Sequence, residues 1–233
     1  MRLDKYVADV LGVTRSEART LIRKGKIFAD GAPVTEPGVK AETFSEITSS
    51  GERLDREEFI YIMMNKPSGV VSATEDSRDK TVLELLPDNL RRRGLFPAGR
   101  LDKDSEGFLL LTNDGQLAHN VLSPKKKVGK KYFVDLACPL EQNKIDILEK
   151  GVDIGGYTTQ PCKVELIGDL SAYITITEGK FHQVKRMFEA IGNRVLYLKR
   201  VSFAGLELDE GLLPGEYRQL CTKEITKILR TIQ

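Results

Sequence analysis

The chain has 233 residues, with 36 Lys and Arg against 34 Asp and Glu for a net charge of +2, and 40% of it is hydrophobic. These proportions exclude a disordered, fibrous or uniformly basic histone-like protein, and the length admits one large domain or two smaller ones. Three separated cysteines without a CxxC pair, and only two histidines, His119 and His182, support neither a disulfide framework nor a zinc site, so no metal is expected.

Charges at Arg2, Asp4, Lys5 and Asp9 break up the N-terminus, and no apolar run approaches the ~20 residues of a membrane span. A soluble cytoplasmic protein without membrane contact is expected.

The first elements read as a small α+β module. Leu3, Tyr6, Val7, Val10 and Leu11 recur at helical spacing, and Gly12 ends that helix. Thr14 and Glu17 form a capping box for a second helix with Ala18, Leu21 and Ile22 on its apolar face and Gly25 just past its end. Asp30 and Gly31 join Ile27–Ala29 to Ala32–Val34 as a hairpin, and Val39, Phe44 and Ile47 are expected to complete a small sheet. The first module therefore spans 1–48. The polar stretch from Ser49 and the charged run from Asp55 to Glu58 predict a linker over 49–58.

The remainder, 59–233, changes to strands with intermittent helices. Strands are predicted at 59–64, 108–112, 132–136, 164–167 and 173–177, and helices at 81–86, 116–122, 140–150, 181–191 and 223–229. Strands with inserted helices, but no strict βαβ alternation, predict an α+β fold with a mixed, largely antiparallel sheet and flanking helices.

Basic residues cluster on this nearly neutral chain. Arg15, Arg19 and Arg23 form one stripe of the second helix, Lys24 follows, and Arg2 and Lys5 lie on the preceding helix. Such a face can track a phosphate backbone; the alternative is a solvated helix face. Glu17 is the only acid between Thr14 and Phe28, so salt-bridge partners within the helix are missing. Lys125, Lys126, Lys127, Lys130 and Lys131 make a second cluster, and Lys180, His182, Lys185, Arg186 and Arg194 a third. Segregated charge of this kind suits a polyanion.

The segment Gly99 to Gly115, GRLDKDSEGFLLLTNDG, sets Asp102 and Asp104 in a loop before an apolar strand. Backbone amides can hold a carboxylate in such a loop. Asp102 reads as a nucleophile or base, as a calcium-loop ligand, or as an Asx-turn residue. The Asp102-x-Asp104-x-Glu106-Gly107 spacing lacks the terminal Glu of a calcium loop, because the chain runs on as strand.

Met64 to Ser72 (MNKPSGVVS), the Asp102 segment, Lys130 to Val134 (KKYFV) and Glu178 to Phe188 (EGKFHQVKRMF) occur in this order. Together they resemble the pseudouridine synthases of ribosomal RNA, in the family typified by the small-subunit (16S) enzyme, and residues 1–48 resemble an S4-type RNA-binding domain. The resemblance implies a cofactor-free isomerisation in which a uracil leaves ribose at N1, turns and rejoins through C5. It implies Asp102 as the catalytic carboxylate and Tyr132 as the active-site tyrosine, whose other reading is a core strand residue. It implies Lys185 as the cation paired with Asp102, with Arg186 as the alternative occupant, and Arg100 as an arginine that displaces the target base. Where many relatives have Thr-Thr-Gly or Thr-Ser-Gly after the aspartate loop, this chain has Ser105-Glu106-Gly107. Glu106 then either faces solvent or raises the negative potential near Asp102.

The catalytic residues expected are Asp102, Tyr132 and Lys185, and the RNA-binding residues Arg2, Lys5, Arg15, Arg19, Arg23, Lys24, Arg100 and Arg186. Resemblance in the Glu178 motif, with the short C-terminus, implies 16S ribosomal RNA, or a small-subunit assembly intermediate, as the partner, and a monomer is expected. The alternatives are a large-subunit (23S) enzyme and a non-catalytic S4-domain assembly factor.

Overall fold

In the computed structural model, which describes residues 1–54 and 59–232, the chain divides into two units, Met1–Glu58 and Phe59–Gln233. In the first, α1 (Leu3–Leu11) closes on Gly12 at φ 66°, and α2 (Arg15–Arg23) opens on the Thr14–Glu17 capping box. β1 (Ile27–Ala29) turns through Asp30 and Gly31, both at positive φ, into β2 (Ala32–Pro33). Two consecutive positive-φ residues match the twist of a tight hairpin. β3 (Ile47–Ser49) pairs with β1 and β4 (Glu52–Arg53) with β3, so the sheet runs β2-β1-β3-β4.

Two expectations change in this unit. Val39 and Phe44 lie outside the sheet and pack against its core from the segment around a 3-10 turn at Ala41–Thr43. The stretch from Ser49 to Arg53, expected as linker, is a second hairpin. Ser50 and Gly51 take positive φ, Ser49 pairs with Glu52, and Leu54 is buried with its amide on the Ile47 carbonyl. A two-residue edge strand has no hydrophobic period to announce it, so its polar turn reads as linker. The rest of that linker, 55–58, lies outside the described residues.

The second unit contains β5 (Tyr61–Lys66), α3 (Asp88–Arg91), β6 (Phe96–Pro97), β7 (Glu106–Thr112), α4 (Gly115–Leu122), β8 (Lys130–Leu136) and α5 (Gln142–Lys150). There follow β9 (Lys163–Leu166), β10 (Ser171–Ile176), α6 (Gln183–Ala190), β11 (Val195–Phe203), β12 (Leu206–Glu207), β13 (Tyr217–Gln219) and α7 (Thr222–Thr231). The sheet runs β13-β5-β7-β11-β8-β10-β9, with β6 beside β7 and β12 beside β11. The β7–β11 pair is parallel and the other pairings described are antiparallel, as the sequence predicts. β7 is apolar and buried along its length after Glu106, the pattern of a strand covered on both faces.

The helix expected at 81–86 is only a 3-10 turn at Leu83–Leu85, because Thr81 and Val71 bridge in extended conformation just before it. The sequence does not announce β6, β11, β12 or β13, and of these β11 joins the two halves of the sheet. Its apolar pattern breaks at Lys199-Arg200, yet Arg200 is turned inward and is 2% exposed. Gly107, at φ 99°, lets β11 approach: a Cβ there would lie 2.2 Å from the Arg200 carbonyl oxygen. One core gathers Val134, Ile174, Met187 and Phe188 with α5 and α6, and another gathers Phe108, Leu117, Phe203 and Ile228 with α4 and α7. No described helix is long and apolar enough to cross a membrane.

Candidate active site

The Asp102 loop runs from Gly99 to Ser105, between β6 and β7, and the Met64 to Ser72 segment grips it. Leu101 is buried in the core beside Tyr132 and Val184. Its amide donates to Ser72 Oγ at 3.1 Å, and the Ser72 hydroxyl donates back to its carbonyl at 3.0 Å. The Gly69 amide donates to the Lys103 carbonyl at 2.8 Å, and the Ser105 amide to that of Asp102 at 3.1 Å. Fully buried Lys66 sends its ammonium to the carbonyls of Ser105 (2.7 Å), Asp102 (3.0 Å), Pro67 (3.1 Å) and Lys103 (3.3 Å). Burial pushes that ammonium down to about 8, against the opposing pull of Asp104, Asp102 and Glu106.

Every side chain of the three-acid spacing goes a different way. Asp102 faces a cleft of about 420 Å³ and is 25% exposed. Asp104 accepts two hydrogen bonds from Lys185 Nζ, at 2.6 and 2.8 Å, which hold its carboxyl below the usual range. Glu106 accepts from the Tyr197 hydroxyl at 2.7 Å, so it neither faces freely into solvent nor adds to the Asp102 pocket. Among the described residues no three His, Cys, Asp or Glu side chains converge as a metal site.

The cleft unites Asp102, Tyr132 and Arg100. Tyr132 stands on the buried face of β8 with Lys130, and its hydroxyl makes no hydrogen bond among the described residues. Lys185 lies behind Asp102, outside the cleft lining. Its Nζ is 3.5 Å from Asp102 Oδ2, and Asp104 is its hydrogen-bond partner. His182 stands 3.6 Å from Asp102 Oδ1 at positive φ, with its ring stacked on exposed Phe181. Arg186 turns away, its guanidinium on the carbonyls of Ile154 and Phe181, so it is neither the partner of Asp102 nor a free RNA contact. On the far wall, buried Glu178 accepts from Tyr157 (2.6 Å), Gln183 (2.8 Å) and the Gln160 amide (2.9 Å).

A family model described as RNA pseudouridylate synthase matches residues 60–190, which contain the whole clamp and most of the cleft, and an S4 domain model matches residues 1–47. The chain belongs to the RNA pseudouridylate synthase family. It is therefore an isomerase acting on RNA. The synthase is 52% identical to an uncharacterized RNA pseudouridine synthase of Bacillus subtilis (strain 168), over 97% of both chains. It is 42% identical to ribosomal small subunit pseudouridine synthase A of Vibrio cholerae, over 98% of this chain and 99% of that one. Its identity to the Escherichia coli K12 protein of the same name is 38%, over 98% of this chain and 100% of the other. A crystal structure of a pseudouridylate synthase, 40% identical, matches 98% of this chain with a TM-score of 0.70 and 99% coverage of its own.

In the S4 unit of the synthase the basic stripe acquires an acid that the sequence of α2 lacks. Asp4 of α1 is fully buried and meets Arg19 Nε at 2.8 Å, Arg15 Nη2 at 3.0 Å and Arg2 Nε at 3.2 Å. Burial opposes its ionisation, but the bonds from Arg2, Arg19 and Arg15 outweigh burial and hold the carboxyl well below the usual range. The three arginine side chains remain 44–55% exposed. Lys5, Arg23 and Lys24 are exposed and make no ion pair among the described residues.

Sequence reasoning left Lys66, Ser72, Glu178 and Arg200 of the synthase without a role. For Lys66 the signal was a cation closing the apolar run Phe59 to Met64; for Arg200 it was the alternation that puts it on one face with Leu198. Lys130, a member of the second basic cluster, is buried.

Proposed function

We propose that this synthase converts a uridine of small-subunit (16S) ribosomal RNA to pseudouridine, with Asp102 as the reacting carboxylate. The observation that carries the chemistry is the Asp102 carboxylate on a clamped loop, facing a nucleoside-sized cleft it shares with Tyr132. The substrate reading is supported by full-length likeness, at 38–42% identity, to relatives named ribosomal small subunit pseudouridine synthase A.

The reacting C1′ of a stacked uridine is out of reach until the nucleotide flips. Exposed Arg100, at the cleft edge, fills the gap that the base leaves. The Tyr132 ring then stacks on the uracil. Asp102 attacks the sugar or the base, or removes a ribose proton, as the N1 bond breaks. Lys185 balances the paired charge of Asp104 and Asp102. The S4 unit supplies phosphate contacts through Lys5, Arg23 and Lys24, with the exposed faces of Arg2, Arg15 and Arg19.

Carbodiimide mapping of pseudouridine in ribosomal RNA from a deletion strain tests this reading. A site lost from 16S RNA is the expected result. A site lost only from 23S RNA transfers the activity to the large subunit, and an unchanged map overturns the reading.

A further inference from the structure

Two buried polar groups on the cleft floor lack hydrogen-bond partners. Arg200 is 2% exposed; its Nε donates to the Phe108 carbonyl at 2.7 Å and its guanidinium lies 4.7 Å over the Phe203 ring, but Nη2 has no partner. Ser105 is 1% exposed, and its Oγ has none either. Both line the cleft that holds Asp102 and Tyr132, the latter being the strand neighbour of Arg200 across β8 and β11. Lys130 joins them, 6% exposed, with its ammonium on the Val128 carbonyl at 3.1 Å. Burial, followed by the charge of Arg200, lowers that ammonium to about 8, which places the two cations within each other's field.

More than nine in ten buried polar groups in folded proteins are bonded, so unpartnered donors gathered in one cleft require an explanation. Packing alone does not supply it, because a buried hydroxyl without a partner destabilises the fold. The lining of a cleft is where such donors can meet a ligand.

We infer that Arg200, assisted by Ser105 and Lys130, binds a carbonyl oxygen of the target uracil and stabilises the charge on that base once it is detached. This rests on the reading of the cleft as the synthase site. Depth favours the base over a phosphate: the RNA backbone stays at the solvated rim, and only a flipped base reaches side chains this buried. Charge favours it too. When the N1–C1′ bond breaks, its electron pair goes to the base and spreads onto the carbonyl oxygens. When the C5–C1′ bond forms, the C5 proton leaves and N1 takes one up, so the product has the composition of uridine. Fixed donors in a site shielded from water stabilise such developing charge far better than water does.

The test uses the full-length synthase and the RNA found by mapping. Single-turnover rate, RNA affinity and thermal melting are measured for Arg200→Met and Ser105→Ala. The same rates are measured on RNA whose target uridine is 2-thiouridine or 4-thiouridine, since sulfur accepts hydrogen bonds weakly. Arg200→Met should react about 10²-fold more slowly with RNA affinity within about threefold. Ser105→Ala, which breaks no hydrogen bond within the fold, should melt no lower than the wild type yet react about tenfold more slowly. One of the two thio substitutions should slow the wild type and leave Arg200→Met no slower than it already is.

A wild-type rate in folded Arg200→Met overturns the inference, as does a loss of RNA affinity at unchanged rate, which would assign these cations to a phosphate. If Arg200→Met does not fold, Ser105→Ala decides, and a wild-type rate in it overturns the inference. Turnover by Asp102→Asn would instead remove the underlying site reading, which normal rates in the Arg200 and Ser105 variants would leave intact.

Discussion

The Lys66 ammonium lies 3.0 Å from the carbonyl oxygen of Asp102 and 2.7 Å from that of Ser105. A single cation at the end of β5 thus fastens both the middle and the end of the loop that carries the Asp102 carboxylate. Backbone carbonyls, rather than carboxylates, are its partners. Asp102 is therefore positioned by Lys66 while its own side chain stays available to the cleft.

Lys66→Met should leave these carbonyls unmet, lowering stability by roughly 2–3 kcal/mol and turnover at least tenfold. Its pH signature follows from the lowered ammonium, about 8 in the fold against 10.5 ordinarily. Between those values the unfolded chain holds the extra proton, so ΔG of unfolding gains from this group as pH rises from about 8 to 10.5. Lys130 contributes with the same sign. Denaturant unfolding at pH 8 and pH 10 should show a smaller gain for Lys66→Met than for the wild type. Equal gains would mean that Lys66 keeps its proton in both states.

Asp102→Asn should abolish isomerisation and leave RNA affinity within about twofold, because a carboxylate facing a cleft acts as a reactant and not as a phosphate ligand. Single-turnover assays with filter binding check both halves. Substantial turnover would take the reacting role from Asp102.

Lys185 reaches two carboxylates, Asp102 and Asp104. The expected tight pair with Asp102 is a 3.5 Å contact, and the hydrogen bonds go to Asp104, which is 70% exposed. Exposed pairs contribute only ~0–1 kcal/mol, so Lys185→Met should melt almost as the wild type does. Its turnover should still fall at least tenfold, because Asp102 and Asp104 would lose the ammonium they share. Lys185→Arg should keep a measurable part, and Arg186→Ala should act through stability, since it frees the carbonyls of Ile154 and Phe181. Normal turnover by Lys185→Met would leave His182, 3.6 Å from Asp102, as the relevant neighbour.

What the sequence conveyed follows the range of each interaction. The capping box at Thr14, the Asp30-Gly31 turn and the apolar run of β7 are local patterns, and all are found as expected. β11 was missed because inward-facing Arg200 looks like a surface residue until its partners on β7 and β8 are known. Asp102 and Tyr132 were legible only through motif order; nothing in their spacing brings them to one cleft. The Lys66 clamp spans 39 positions to Ser105, and the Asp4 cluster draws together residues of two helices. Charge counted along α2 therefore overstated how free its arginines are.

Asp4 changes how RNA binding by the S4 unit should be tested. Arg19→Ala removes the proposed phosphate contact and also one of the bonds that hold buried Asp4 as an anion, so it should lower both RNA affinity and the melting temperature. Because the carboxyl of Asp4 is lowered in the fold, its contribution is present above its unfolded value, near 3.8, and lost as pH falls below it. The unit should therefore weaken below about pH 4, and Asp4→Asn should weaken it at neutral pH. Arg23→Ala with Lys24→Ala isolates the RNA term, since neither residue has an ion-pair partner among the described residues. That double variant should melt as the wild type does. Its slope of log affinity against log salt should be shallower by about 0.7–0.9 for each phosphate that is no longer neutralised. Turnover at saturating RNA should persist, because the cleft with Asp102 and Tyr132 belongs to the other unit. An unchanged salt slope would return Arg23 and Lys24 to a solvated helix face.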